Sequence, residues 1–351
     1  MLSSDMKDIL ALTPEDWKMY FSRLGHPAFR AKQVYEWLWK KGVRDTGAMT
    51  NLPEGIRKQL QKDFRIYALQ EYTVQESADG TVKYAFRLYD GHLVESVLIP
   101  SDKRITACIS SQVGCAMGCA FCATATLRER RNLSAGEIFD QVLHLRRQAT
   151  ARYGRELTNI VYMGMGEPLL NYKEVMRATG LITSPDGLGM SPKRLTLSTA
   201  GLPKMIRKMA DDGVKFNLAV SLHSAVEEVR NRMMPVNRNT GLDALMKSLK
   251  YWHGKTGNRI TFEYIVWEGI NDKQEDIDAL VAYCKKVPAK VNLIPYNPVS
   301  DYDWKGAGEE VLDAYEQALR ANGIVVLRRK SRGKDIDAAC GQLANKSVKS
   351  E

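Results

Sequence analysis

From residue 13 to residue 64, apolar side chains recur at helical spacing. Thr13 followed by Pro14, with Glu15 and Asp16 in the first turn, predicts a helix start. Val34, Trp37 and Leu38 mark a second amphipathic helix, and Leu52 to Phe64 a third. The period then shortens to two. Val82, Tyr84, Phe86 and Leu88 alternate between Asp79-Gly80 and Asp90-Gly91, two hairpin signals, and His92 to Ile99 continues as a strand. Residues 1–65 are expected to form a small helical domain and 66–103 a β-rich connector.

From about residue 104 the pattern becomes strand, then helix, repeatedly. Candidate strands are Ile105 to Ser110, Asn159 to Met163, Arg194 to Ser198, Asn217 to Leu222, Ile260 to Trp267 and Val291 to Pro295, with a last one at Ile324 to Arg329. Ser134 and Glu137 form a capping-box signature at the start of the first long helix. Six such units imply an α/β fold with a parallel sheet, expected to curl into an open, partial (β/α)6 barrel over 104–343, with 344–351 as a tail. In such a barrel, functional groups lie just past the C-terminal ends of the strands.

Hydrophobic residues make up 44% and charged residues 26% of the 351, ordinary values for a globular chain with a sizeable core. Near the N-terminus only Ile9 to Leu12 is continuously apolar, and nothing approaches the roughly 18 residues of a membrane span, so a soluble, cytoplasmic protein with no membrane partner is expected. Six cysteines are too few for a disulfide scaffold, and three of them crowd into one loop. The 51 Lys and Arg against 41 Asp and Glu leave a net charge of +10. Arg128, Arg130 and Arg131, then Arg230, Arg232 and Arg238, then Arg328, Arg329, Lys330, Arg332 and Lys334 flank the candidate chemistry, which favours a nucleic acid partner over simple solvated faces.

Cys115, Cys119 and Cys122 follow the first barrel strand as CxxxCxxC. Three thiolates can hold three irons of a 4Fe-4S cluster and leave the fourth iron open to a small molecule. A structural zinc site is the alternative; Cys108, Cys284, Cys340 or one of five histidines would then complete it. Gly164-Met165-Gly166-Glu167-Pro168 follows the second strand, where glycine lets backbone approach a ligand and a carboxylate can accept from an ammonium group. A plain strand-to-helix turn would use the same residues. Ser198, Ser221 with His223, and Asn297 repeat the placement after later strands; each alone reads as a turn residue, and together they line one rim. Cys340 sits in a tail past the last strand and, like Cys284 and the mid-strand Cys108, could be a small core residue. Glu95 shares a strand face with Leu93, Val97 and Ile99, which is costly unless the carboxylate is paired, functional, or on an edge strand facing water.

The segments CISSQVGCAMGCAFC, RNLSAGEI, YMGMGEPLLN, LTLSTAG, AVSLHS, NLIPYNP and RGKDIDAACGQL, in this order, resemble the radical S-adenosylmethionine rRNA methyltransferases that act on carbon 2 of adenine, whose close relatives act on carbon 8. The resemblance runs from about residue 90 to 343, with a compatible N-terminal helical domain that it implies is RNA-binding. It implies that Cys115, Cys119 and Cys122 ligate the cluster, and that Gly166, Glu167, Ser198, Ser221, Leu222, His223 and Asn297 bind S-adenosylmethionine. It further implies that Cys340 is methylated as an intermediate, that Cys108 resolves a protein-RNA adduct by forming a disulfide, and that Glu95 is the base. Two S-adenosylmethionine molecules per methylation, 23S rRNA and tRNA as substrates, an electron donor such as flavodoxin, and a monomeric enzyme follow from the same resemblance. A noncatalytic, zinc-containing RNA-binding protein is the competing class. Residues 123–130, reading ATATLRER, depart from the family pattern and bear on loop shape and target preference.

Overall fold

The computed structural model describes residues 6–299 and 303–345; the first five residues of the expected helical domain and 346–351 of the expected tail lie outside them. Helix α1 spans Pro14–Arg23, α2 Phe29–Tyr35 and α3 Glu54–Asp63. Thr13 caps α1 through a reciprocal capping box with Asp16, so the start signal in the sequence is realised by the side chains that carried it. Helix α2 continues as a π turn over Glu36–Lys40. That wider turn shifts the phase: Leu38 and Trp39 are fully buried, while Trp37 stays half-buried. Trp39 meets Phe139 edge-to-face at 5.0 Å, and Arg44 donates to the Asp140 carboxylate at 2.9 Å, fastening this helical segment to the barrel.

Ten strands form one sheet in which the strands stand side by side in chain order. They are β1 Gln70–Glu76, β2 Val82–Arg87, β3 Leu93–Pro100, β4 Ile105–Cys108, β5 Asn159–Tyr162, β6 Leu195–Thr199, β7 Asn217–Ser221, β8 Ile260–Ile265, β9 Ala289–Ile294 and β10 Val325–Arg328. Strands β1 to β4 pair antiparallel, and β4 to β10 pair parallel. Strands β1 and β10 are the two edges, so the barrel is open. The stretch expected as a connector is therefore part of the barrel sheet: its three strands extend the parallel run on one flank. Most barrel strands end one or two residues short of their expected limits, where the chain turns into the loops at the strand ends, while β6 runs one residue further to Thr199.

Helices α4 Ala135–Tyr153, α5 Tyr172–Thr183 and α6 Pro203–Asp211 return the chain between β4 and β7. Between β7 and β8 lie α7 Glu227–Met233 and α8 Asn237–Thr256, the latter broken at Gly241 (φ +69°). Helices α9 Gln274–Cys284 and α10 Glu309–Ala321 complete the outer layer. The capping box of Ser134 and Glu137 opens α4. Cys284 is buried at the end of α9, where it acts as a small core residue. No described helix is long and apolar enough to cross a membrane.

Candidate active site

A single cavity opens at the C-terminal ends of the parallel strands, and ten of the thirteen candidate residues line it: Cys108, Cys115, Cys119, Cys122, Gly166, Glu167, Ser198, Ser221, His223 and Cys340. One wall is built from strand ends. The loop after β4 carries Cys115, Cys119 and Cys122; burial pushes all three thiols up, that of Cys115 to about 12. Ionising buried thiols is costly, and bound metal is what makes thiolates stable there. Three thiols from one loop face the cavity, and a cubane takes one thiolate on each of three irons, so the donor set fits a 4Fe-4S cluster.

Gly166 has φ +98°, and a Cβ there would stand 2.6 Å from that of Gln112, so only glycine lets the chain pass this close to the loop after β4. Glu167 satisfies both readings of its motif. It caps the short helix Pro168–Asn171 through Leu169 N–H (3.1 Å), accepts from Ala200 N–H (2.8 Å), and still faces the cavity. Burial raises its carboxyl, and the backbone donors oppose the rise. His223 takes up a left-handed conformation (φ +56°) and its Nδ1 accepts from Ile265 N–H at 3.2 Å. Burial, reinforced by Arg230, pushes His223 down to about 3, so the ring is neutral with its proton on Nε2.

Arg230, expected in an exposed basic patch, is instead fully buried. Its guanidinium donates to the carbonyls of Ala200 (2.7 Å), Ser221 (3.2 Å) and Leu222 (3.1 Å) and to Asn237, tying the loops after β6 and β7 together from behind. Leu222 is itself buried behind the wall and meets this network through its backbone. The other expected basic clusters divide as well. Arg131 pairs with Asp90 and Glu137, and Arg328 with Glu309, Asp313 and Glu316, while Arg329, Lys330 and Arg332 line the cavity.

A second wall brings together residues far apart in sequence. Cys108 ends β4, and Cys340 reaches the cavity from the C-terminal loop. Cys340 is an exposed residue, and desolvation of its thiol pushes it up while Arg329 opposes the shift. Burial and then the Cys340 charge push Cys108 upward, placing the two sulfurs within electrostatic reach of each other. The Cys340 loop is held on three sides. Asp335 accepts from Ser77 Oγ (2.6 Å) and Ala78 N–H (3.1 Å), and Gly333 N–H donates to Asp79 (3.0 Å), fixing the loop to the β1-β2 turn. Ala123 N–H donates to the Gly341 carbonyl (2.7 Å) and the Thr124 hydroxyl to that of Leu343 (2.6 Å), so the segment that departs from the family pattern docks on this loop. Asn297 stands behind the wall, donating to the Cys340 carbonyl at 3.2 Å and accepting from Ser331 Oγ at 2.7 Å.

Glu95 also lies behind the wall. Strand β3 is paired on both sides, so no edge relieves the carboxylate, and its side chain is fully buried. Oε2 accepts from Ala344 N–H (2.9 Å) and Asn345 N–H (3.1 Å), and Lys83 Nζ stands 3.2 Å from Oε1. Lys83 was missed in the sequence, as was Glu263, a buried cavity-facing carboxylate that accepts from Asn292 at 2.8 Å. A charged residue inside the apolar strand Ile260–Ile265 was the available signal for Glu263.

Comparison with known proteins matches this geometry. The radical SAM superfamily profile covers residues 109–281, and that of the ribosomal RNA large subunit methyltransferase N-terminal domain covers residues 7–66. The crystal structure of a radical SAM methyltransferase from Sphaerobacter thermophilus superposes with a TM-score of 0.90 at 38% identity, over 96% of this chain and 99% of that one. The fold is that of a radical S-adenosylmethionine enzyme, a class that uses a 4Fe-4S cluster and S-adenosylmethionine. The chain is 56% identical over 344 residues to the "Probable dual-specificity RNA methyltransferase RlmN" of Flavobacterium psychrophilum (98% of this chain, 99% of that protein), and 44% identical over 338 residues to the "Dual-specificity RNA methyltransferase RlmN" of Geotalea uraniireducens (96% of each). It belongs to the RlmN family.

Proposed function

We propose that the chain methylates carbon 2 of adenine in 23S rRNA and tRNA, carrying the new carbon on Cys340. The observation that supports this most is that Cys340 and Cys108 share one cavity with the three-cysteine loop. Carbon 2 lies between two ring nitrogens and is electron-poor, so it cannot attack a sulfonium methyl as a nucleophile. Cys115, Cys119 and Cys122 hold the cluster. Gly166, Glu167, Ser198, Ser221 and His223 form the bed for S-adenosylmethionine, with Leu222 and Asn297 supporting it from behind. When bound, the cluster supplies the electron that cleaves S-adenosylmethionine to methionine and a 5'-deoxyadenosyl radical, and accepts the electron that the RNA adduct later loses.

Two S-adenosylmethionine molecules are used per methylation. Cys340 takes the methyl of the first by displacement. It then loses a hydrogen atom from that methyl to the radical from the second, and its methylene adds to carbon 2. Glu95 takes the carbon 2 proton. The Cys108 thiolate attacks the Cys340 sulfur, the sulfur–carbon bond breaks, and the freed carbon picks up a proton to become methyl as a disulfide forms. The N-terminal helices and the basic rim at Arg329, Lys330 and Arg332 bind RNA. A flavodoxin-type donor delivers electrons to a cytoplasmic, monomeric enzyme.

Mass spectrometry of nucleosides from RNA treated with the reconstituted enzyme should show 2-methyladenosine; 8-methyladenosine as sole product overturns the reading. Cys108→Ala should accumulate a covalent RNA adduct and Cys340→Ala should form none. An adduct without Cys340 refutes its role as carrier.

A further inference from the structure

Lys83, Glu95 and Cys108 occupy three adjacent strands but one face of the sheet. In the antiparallel register Lys83 is opposite Val97 and Val97 is opposite Cys108, so these three point the same way, and Glu95, two residues from Val97, joins them. Lys83 is diagonal to Glu95, and a lysine stem reaches that far. Only 3% of the Lys83 side chain is exposed, with none of Glu95. The ammonium makes two contacts: 3.2 Å to Glu95 Oε1 and 3.3 Å to the carbonyl of Asp337, in the loop that carries Cys340.

The two carboxylate oxygens are not equivalent. Oε2 is occupied by two backbone donors, while Oε1 feels the Lys83 charge without an aligned hydrogen bond. Oε1 is thus the oxygen with a lone pair to spare. The two donors on Oε2, the N–H groups of Ala344 and Asn345, belong to the segment that follows Cys340, so the carboxylate is tied to the same loop that carries that thiol.

We propose that Lys83 is a positioning residue that registers the proton acceptor, Glu95 Oε1, against the Cys340 loop through its simultaneous contact with the Asp337 carbonyl. This rests on Glu95 being the base. In the step concerned the carbon 2–hydrogen bond breaks, its proton goes to Oε1, and the ring regains aromaticity as the adduct loses one electron, for which an oxidised iron-sulfur cluster held by Cys115, Cys119 and Cys122 would be the acceptor. A pair that only held the two strands together would change stability without changing the rate of that one bond breaking.

The test compares methylation of RNA carrying hydrogen or deuterium at adenine carbon 2 by the reconstituted full-length enzyme. Lys83→Met should slow turnover with the KM for S-adenosylmethionine unchanged, and its deuterium isotope effect on kcat should rise above that of the unsubstituted enzyme, because proton removal becomes limiting. Lys83→Arg, which keeps the charge, should restore the isotope effect towards the starting value. Should Lys83→Met fail to fold, Lys83→Gln serves with the same expected rise. A folded variant whose isotope effect is unchanged, whatever its rate, overturns the proposal. Glu95→Gln separates the two readings: if it turns over normally, the base assignment itself fails, whereas a blocked Glu95→Gln beside an unaffected Lys83 variant removes only the positioning role.

Discussion

The two walls of the cavity are made in different ways. The wall with Cys115, Cys119, Cys122, Glu167 and His223 is assembled at successive strand ends, each loop within a short stretch of chain, and is fastened from behind by the buried Arg230. The wall with Cys108 and Cys340 is assembled across the chain: Ser77 meets Asp335, Lys83 meets Asp337, and Glu95 meets Ala344, pairs about 250 positions apart. The difference teaches that the three-cysteine wall rests on repeated local architecture, while the placement of the Cys340 thiol depends on docking the C-terminal loop on the first strands of the sheet.

The comparison can be broken most sharply at the cysteines. Cys122→Ser should lose cluster iron and with it all S-adenosylmethionine cleavage, whereas Cys340→Ser should keep both and lose only RNA methylation; iron and sulfide analysis with a 5'-deoxyadenosine assay reads the two. Iron loss in Cys340→Ser would show that the walls are not separable. Arg230→Met comes next. It leaves several buried carbonyls without donors, at about 1–3 kcal/mol for each that stays unpaired, so a loss of about 3 kcal/mol in denaturant unfolding and a raised KM for S-adenosylmethionine are expected.

Asp335→Ala opens the contact with the β1-β2 turn. A small displacement of a reacting group can cost up to about 10²-fold, and a loosened loop should lower methylation by about tenfold while leaving iron content intact. The smallest effect concerns pH. The nucleophile in methylation of Cys340 is its thiolate, and because burial holds the thiol above its ordinary 9.0, the rate should climb through the neutral and mildly alkaline range. Arg329 favours the thiolate, so Arg329→Gln should move the profile to higher pH and slow the step at pH 7. An unmoved profile for single-turnover methyl transfer to Cys340 would exclude that influence.

The first wall was largely legible in the sequence. Apolar runs separated by helical patterns located all the parallel strands, and the rule that function sits past strand ends picked out Gly166, Glu167, Ser198, Ser221 and His223, all of which line the cavity. The second was legible only through resemblance to a family. Period-two alternation placed Glu95 on a buried face, yet nothing local says that Lys83 lies diagonal to it or that the Asp79-Gly80 turn grips the C-terminal loop, because those contacts exist only after the sheet has paired. Charge clustering misled for a similar reason: Arg230, Arg232 and Arg238 are close in sequence, but Arg230 points into the protein, where carbonyls and Asn237 receive it.

The sequential strand order also sets a sequence of events during synthesis. The strands emerge in the order in which they stand side by side, so the pocket for the cofactors can take shape as β4 to β8 leave the ribosome. Residues 333–345 must then return to the opposite flank, where Ser77, Asp79, Lys83 and Glu95 wait for them. A nascent chain can thus complete the loop with Cys115, Cys119 and Cys122 and the strand ends beside it before Cys340 joins the cavity.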